Sequence, residues 1–296
     1  MLITAIIDVI ENQDVAVIDA PGALLASDVD EEVVVISEND ILGAMLEIDN
    51  EIYKKCVIFG KNGKKHLYVR LSKAMCGTLK AELLCYRKLS RELKEYGFVI
   101  NPYDPCVANK CTNKGKLTVV WHVDNMKVLH KSKKEVTKSI DYIKVIYGDN
   151  MPVIRGKKHN YVGTDIYYST PGEIIVSMDS CITEMMDKFQ EEIMQRIKPP
   201  IGNHLFRVDN ACTKICEIKK IMFHQLVVKL LFLSKHTRPY IQLTIAFLIT
   251  RLQNLNKDDW KKLLRVLSHL GATINGVKLH LNANYLKVVY WWVDES

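Results

Sequence analysis

Residues 117–130, reading LTVVWHVDNMKVLH, constrain the fold more than any other stretch of this chain. Two runs of alternating apolar residues meet at Asp124-Asn125. A period of two is the pattern of a strand with distinct faces. It puts Leu117, Val119, Trp121 and Val123 on one face and Thr118, Val120, His122 and Asp124 on the other. Asp and Asn both tolerate left-handed backbone, so the junction predicts a tight hairpin turn. Such a hairpin carries the Asp124 carboxylate on an exposed tip of a rigid scaffold, a good place to hold a metal ion. His122 and His130 are both even-numbered and are expected on one face, where most histidines are not ligands.

The length of 296 residues predicts about two domains. With 48% hydrophobic and 25% charged residues, the composition is that of an ordinary globular protein. A net charge of +7 is compatible with a polyanionic partner. The first residues, MLITAIIDVIEN, lack a basic start and are broken by Asp8 and Glu11, so they read as a helix and not as an export signal. Eight cysteines without such a signal read as reduced thiols of an intracellular protein. Cys106/Cys111 and Cys212/Cys216 do not have zinc-knuckle spacing, so free thiols are the plainer reading. No run approaches the ~18 apolar residues of a membrane span.

Other elements follow from pattern and punctuation. A strand over residues 15–19 puts Val15, Val17 and Asp19 on one face, and Pro21-Gly22 break it just after the aspartate. A second carboxylate thus stands at a strand's end. An acidic stretch follows at residues 28–32, a turn at Lys61-Asn62-Gly63 and a strand at 66–71. Thr78 as N-cap and Gly97 as stop bound a helix. Leu79, Leu83, Tyr86, Leu89, Leu93 and Tyr96 are its expected inner face. Lys80, Arg87, Lys88, Arg91 and Lys94 form a basic face that either meets a nucleic-acid backbone or is simply solvated. Ser132 and Glu135 make a capping-box pattern. It opens a helix with Val136, Ile140, Ile143 and Tyr147 inward, stopped by Gly148. This order predicts an α+β sheet with helices on one face. Beyond it lie strands over 161–168 and 174–178 and a helix over about 180–195. A patternless stretch, 201–216, precedes helices over about 218–235, 239–252 and 258–270, the last stopped by Gly271. Strand-like runs at 277–282 and 286–294 finish the chain.

His122-Val123-Asp124-Asn125 resembles the Tyr-Val-Asp-Asp box of copia-type retrotransposon reverse transcriptases. VAVIDAPGALLASDVDEEV resembles that family's first metal-aspartate segment, with Asp19 at the aspartate. SKAMCGTLKAELLCYRKL looks like its template and nucleotide helix, NYVGTDIYYS like its primer grip, and HQLVVKLLFLSKHTRPYIQLTIAFL with DDWKKLLRVLSHL like its connection. The likeness is collinear over almost the whole chain, and WWVDES would begin an RNase H domain with Asp294 at its first acidic position. The resemblance implies a palm-like antiparallel sheet with helices on one face, then a thumb-like segment and a helical connection. Its expected parts are a palm with partial fingers over 1–150, primer grip and thumb over 151–216, and connection with the first RNase H strands over 217–296.

The activity implied is RNA-directed DNA synthesis with two Mg²⁺ ions, held by Asp19 and Asp124 with Asn125 as a weakened third ligand. Leu24 stands where the family has an aromatic ring against ribose. Gly77 and Lys80 are implied near template and nucleotide, and Tyr161 and Gly163 near the primer. The implied partners are an RNA or DNA template with primer, deoxynucleotides if the site is active, and other parts of the element's polyprotein. The implied setting is cytoplasmic, in a virus-like particle. Departures from the family pattern point to impairment. Asn125 replaces an aspartate, Leu24 an aromatic residue and Lys80 a glutamine, and the chain starts just before the first aspartate, so the fingers are expected to be missing. A non-catalytic, nucleic-acid-binding remnant is the alternative. The strands from residue 277 to 294 are expected to be poorly anchored, as the start of an incomplete sheet.

Overall fold

The computed structural model describes residues 2–60, 63–189, 199–209 and 211–282. They form a mixture of helices and antiparallel sheets, divided between two compact units. One is Val15–Ile154; the other joins Met1–Asp14 to Arg155–Ser296. The chain opens with α1 (Leu2–Ile10), which belongs to the second.

The first unit runs β1 (Asp14–Asp19), β2 (Val34–Ser37), α2 (Asn39–Ile48), α3 (Asn50–Tyr53), β3 (Val57–Phe59), β4 (Lys65–Arg70) and α4 (Ala81–Glu95). It continues through β5 (Val99–Ile100), β6 (Val107–Thr112), β7 (Gly115–His122), β8 (Asn125–His130), α5 (Lys133–Tyr147) and β9 (Val153–Arg155). Six strands form one sheet in the order β5-β6-β7-β8-β1-β9, and β2-β4-β3 form a small second sheet. In the large sheet one face is apolar. Ala16, Ile18, Leu117, Val119, Trp121, Met126 and Val128 pack there against Cys85, Leu89 and Leu93 of α4 and Val136, Ile140 and Ile143 of α5. Truncating one such leucine to alanine costs about 2–5 kcal/mol, which is the scale on which this core fixes the sheet.

The hairpin forms, but one residue earlier than the sequence suggested. His122 pairs with Asn125, so the turn residues are Val123-Asp124 and not Asp124-Asn125. Trp121 opposes Met126 and Val119 opposes Val128, and opposed residues share a face. A two-residue turn therefore exchanges even for odd across the hairpin, and His122 and His130 lie on opposite faces, contrary to expectation. His122 is exposed, whereas His130 is fully buried. Its Nδ1 accepts from the Ser132 amide at 2.8 Å, and its Nε2 lies 2.9 Å from the Thr112 hydroxyl. That bond replaces the expected capping box, for the Ser132 side chain makes no cap bond to α5.

The α4 helix also starts later than expected. Thr78 closes turns on either side of itself, through Thr78 N–Met75 O and Ala81 N–Thr78 O, and regular helix begins at Ala81. The inner face differs from the expected one: Leu84 and Cys85 are buried, while Leu79 is fully exposed and Leu83 is 42% exposed. Leu89 and Leu93 are buried as the spacing predicted. Gly97 ends the segment at φ 93° and Gly148 ends α5 at φ 96°, both in backbone that glycine alone adopts cheaply.

The second unit contains β10 (Lys158–Tyr161), β11 (Thr164–Thr170), β12 (Glu173–Ser177), α6 (Asp179–Lys188), α7 (Glu217–His236), α8 (Gln242–Thr250), α9 (Lys257–Thr273) and β13 (Leu279–Asn282). Its sheet has the order β10-β11-β12-β13. α1 lies on this sheet, where the Tyr168 hydroxyl donates to Asp8 at 3.0 Å. The helices share a core of Ile182, Met185, Phe223, Leu230, Ile245, Trp260, Leu263 and Leu267. α9 runs through Gly271 instead of stopping there. β13 is anchored, contrary to expectation: Glu173 to Val176 of β12 pair with its four residues. The expected turn at Lys61-Asn62, the end of the 180–195 helix and the run at 286–294 with Asp294 lie outside the described residues. Among the described residues, no helix is long and apolar enough to cross a membrane.

Candidate functional site

Asp19 and Asp124 are far apart in sequence and adjacent in the fold. β1 lies beside β8 in the sheet, and the Ala20 amide donates to the Asp124 carbonyl at 3.0 Å. On the other side, the Asp19 amide donates to the Pro152 carbonyl at 3.1 Å. The strand end bearing Asp19 is thus clasped between the hairpin tip and the approach to β9. The alternation of β1 explains which way Asp19 points. Ala16 and Ile18 enter the helix-covered core, so Asp19 stands on the opposite face, where it is exposed. His122 and Asn125, an opposed pair, lie on that same face by the hairpin register.

The tip itself is built on strained backbone. Val123 has φ 54°, and Asp124 is absent from the residues with positive φ. Positive φ at the first turn residue alone is the pattern of a type II′ hairpin, which ordinarily takes glycine there. A β-branched residue in this region is an outlier, and left-handed backbone costs an L-residue about 1–2 kcal/mol. The Cys85 thiol of α4 lies 3.9 Å from the Val123 carbonyl, beneath the tip. Burial, and then the charge of Asp124, push the Cys85 thiol above its ordinary pKa. Sequence reasoning missed Val123 and Cys85. A β-branched residue gives no sign of a left-handed turn, and a core cysteine on a helix gives no sign of what lies above it.

No ion pair joins Asp19 or Asp124 to a cation among the described residues. Carboxylates without an ion-pair partner are candidate ligands for a cation. Asn125 Nδ2 donates to Asp124 Oδ1 at 2.9 Å, which leaves the Asn125 carbonyl oxygen as a further neutral donor to a metal. Among the described residues no group of three or more His, Cys, Asp or Glu side chains could hold a metal. The donor set is two carboxylates and an amide oxygen. Mg²⁺, which is bound through one or two carboxylates with water and phosphate oxygens completing the shell, fits such a set.

The other residues singled out by sequence fall in several places. Leu24 is half-buried and packs on the core below α4. Gly77 has φ 90° with open space about it, in the loop before α4. Lys80 is the N-cap residue of α4 and forms an ion pair with Glu31 at 2.5 Å. Lys73 pairs with Asp28 at 2.6 Å and Arg87 with Asp30 at 3.2 Å. The acidic stretch after Asp19 therefore lies along part of the basic face of α4. The Lys73 hydrogen bond holds the Asp28 carboxyl below its ordinary pKa. In the second unit, Tyr161 is buried and Gly163 follows it in the β10–β11 turn. Val162 at φ 50° and Gly163 at φ 68° give that turn the type I′ pattern. The two groups belong to different units, Leu24, Gly77 and Lys80 to the first with the carboxylates, Tyr161 and Gly163 to the second.

No family model matches the chain. Over 258 residues, 84% of its length, it is 24% identical to the retrovirus-related Pol polyprotein from transposon TNT 1-94 of Nicotiana tabacum. The chain spans about a fifth of that polyprotein, 19% of its length. Among solved structures it is similar to apo telomerase from Candida tropicalis, at 12% identity and a TM-score of 0.35, covering 93% of this chain and 50% of that one. A telomerase from Candida albicans, solved with a TWJ fragment of telomeric RNA, is 9% identical with a TM-score of 0.33, covering 92% and 48%. Scores of this size do not establish a shared fold.

Proposed function

We propose that this chain is the reverse-transcriptase-like part of a copia-type retrotransposon polyprotein. The large sheet of the Val15–Ile154 unit is its palm, and the site is an impaired one. The observation that carries the reading is the bond between the Ala20 amide and the Asp124 carbonyl. It supports the reading by joining the backbone beside Asp19 to that of Asp124, the two residues that the family pattern assigns to metal, neither of which has an ion-pair partner among the described residues. The 24% identity to a transposon Pol polyprotein supports the same reading.

In this reading Asp19 and Asp124 hold Mg²⁺, and Asn125 contributes its carbonyl oxygen. Bound Mg²⁺ would supply charge stabilisation for a triphosphate and its attacking hydroxyl. The chain's own residues do the rest. The clasp at Ala20 and Pro152 holds the backbone of Asp19 against the hairpin tip, which limits how far the two side chains must travel to meet a cation. Lys80, Lys73 and Arg87 present cations to a phosphate backbone once the acidic stretch is displaced. Gly77 lets a template or nucleotide approach the backbone closely, because no side chain fills the space there. Leu24 offers less bulk than an aromatic ring against a ribose. Tyr161 and Gly163 form the turn that contacts the primer.

Asn125 is the source of impairment. It keeps the size of aspartate and loses the charge, and its amide group donates to Asp124, drawing on an oxygen the metal needs. That hydrogen bond also favours the second reading, in which the chain binds nucleic acid without chemistry. Primer extension with purified chain in Mg²⁺ and Mn²⁺, beside Asn125→Asp and Asp124→Ala, separates the two. The proposal expects primer–template binding, extension below detection by the unmodified chain, and measurable extension by Asn125→Asp. Binding with no extension by any variant leaves the remnant reading in place. Robust extension by the unmodified chain, abolished by Asp124→Ala, shows that the site is not impaired.

A further inference from the structure

A pocket of about 450 Å³ opens between the starts of α7 and α9, wholly within the second unit. Lys214, Lys219, Lys257 and Lys261 stand around it. Ile215, Trp260 and Leu264 form its apolar walls, and among the described residues no carboxylate lines it. The nearest carboxylates in sequence are committed elsewhere. Glu217 pairs with Lys220 at 2.6 Å, Asp258 with Lys262 at 2.9 Å and Asp259 with Arg251 at 3.2 Å. Lys214, Lys257 and Lys261 have no acidic partner among the described residues. The Lys219 Nζ lies 4.7 Å from the centre of the Trp260 ring.

The ammonium groups of Lys214, Lys257 and Lys261 around one concavity raise the local concentration of anions. Lysine binds phosphate as a mobile point charge, which suits a rim of several lysines better than a fixed planar fork. Cys216, the N-cap of α7, makes no side-chain cap bond, so backbone amides of the first turn add donors to the same region. An inorganic anion would leave most of the volume and all of the apolar wall unused. The size lies within the ~300–1,000 Å³ of small-molecule sites.

We infer that this pocket binds a nucleoside phosphate, with the base against Ile215, Trp260 and Leu264 and the phosphates among the lysines. The nucleoside phosphate is either free or a unit of a single strand. This site lies in a different unit from Asp19 and Asp124 and goes beyond the reading given above.

The test is equilibrium binding to the full chain in EDTA, which removes any contribution from a divalent-metal site. The probes are dTTP, thymidine, inorganic tripolyphosphate and a short oligothymidylate, each in competition with a fluorescent nucleotide. The expected result is that dTTP or the oligothymidylate competes at least about tenfold better than tripolyphosphate, and that thymidine does not compete. Competition by dTTP points to a free nucleotide, and by the oligothymidylate alone to a strand. Lys257→Glu with Lys261→Glu weakens binding about tenfold or more, and Lys214→Ala with Lys261→Ala weakens it less. These side chains make no ion pair among the described residues, so unchanged circular dichroism and melting are expected. Asp19→Asn with Asp124→Asn leaves this binding unaltered, which separates it from the proposed polymerase site. Equal competition by tripolyphosphate and dTTP, or wild-type binding by the Lys257→Glu, Lys261→Glu variant, overturns the inference.

Discussion

Replacing the three carboxylates that lie along α4 should strengthen and steepen nucleic-acid binding. The variant is Asp28→Asn, Asp30→Asn and Glu31→Gln together. In the structure these side chains hold Lys73, Arg87 and Lys80 in three ion pairs of 2.6, 3.2 and 2.5 Å. All six side chains are largely solvent-accessible, so salt screens the pairs and they contribute little to stability. Their main effect is competitive: a phosphate backbone must displace the acidic stretch to reach the three cations. Each phosphate neutralised on duplex DNA adds about −0.9 to the slope of log K against log salt. Three freed cations therefore steepen that slope by up to about 2.7. Across a change from ~50 to ~200 mM salt this amounts to roughly fortyfold additional loss of affinity. The assay is fluorescence anisotropy of a labelled primer–template at several salt concentrations, with melting curves to confirm an intact fold. A variant with the affinity and slope of the unmodified chain would show that this face of α4 does not meet nucleic acid.

Three further outcomes follow from particular groups. Val123→Gly relieves about 1–2 kcal/mol of left-handed backbone cost against about 0.5–1 kcal/mol of added chain entropy. Urea denaturation should show a net change below about 1 kcal/mol, whereas Val128→Gly in the core loses well over that; equal losses would refute the strain assigned to the tip. His130→Ala leaves the Ser132 amide and the Thr112 hydroxyl without their partner and opens a cavity, so a loss of about 2–4 kcal/mol is expected in the same assay, and a loss below about 1 kcal/mol contradicts the role given to it. Hydrogen bonds from Lys188 and Lys229 lower the Glu184 pKa from 4.5 to about 2. The pairing therefore stabilises the fold above its unfolded value and is lost as pH falls from about 4.5 towards about 2. Glu184→Gln should flatten the dependence of melting temperature on pH in that window, and an unchanged slope there would count against the pairing.

The elements that sequence made legible are those whose signal is local and periodic. Val136, Ile140 and Ile143 recur at helical spacing between Ser132 and Gly148, and α5 is found there. The alternation in residues 117–130 gave the hairpin and the core face of β7. It did not give the turn register, because Asp124-Asn125 is the better turn dipeptide and tertiary packing overrode it. Trp121 and Met126 both enter the core, and that pairing requires Val123-Asp124 at the tip. The inner face of α4 was misjudged for a similar reason. Leu79 precedes the regular helix, which begins at Ala81 after the turn at Thr78, and Leu83 lies off the stripe through Ala81, Cys85, Leu89 and Leu93 that faces the core. β2 and β3 were not read at all; they exist through pairing with β4, across loops that leave no local trace. The same limit applies to the site. That Asp19 ends a strand and Asp124 sits on a hairpin tip could be read from residues, whereas the clasp by Ala20 and Pro152, the Cys85 thiol beneath the tip and the acidic stretch along α4 are all long-range contacts.

The proposed site requires Asp19 and Asp124 to share one divalent cation. Iron(II) loaded in place of Mg²⁺, with ascorbate and peroxide, generates hydroxyl radicals that cut the backbone within reach of the bound metal. Paired cleavage is expected near residues 19–21 and 123–125, suppressed by excess Mg²⁺, lost from both places in either Asp19→Asn or Asp124→Asn, and strengthened in Asn125→Asp. Cleavage at only one of the two places, or cleavage that survives either single substitution, would contradict a shared site.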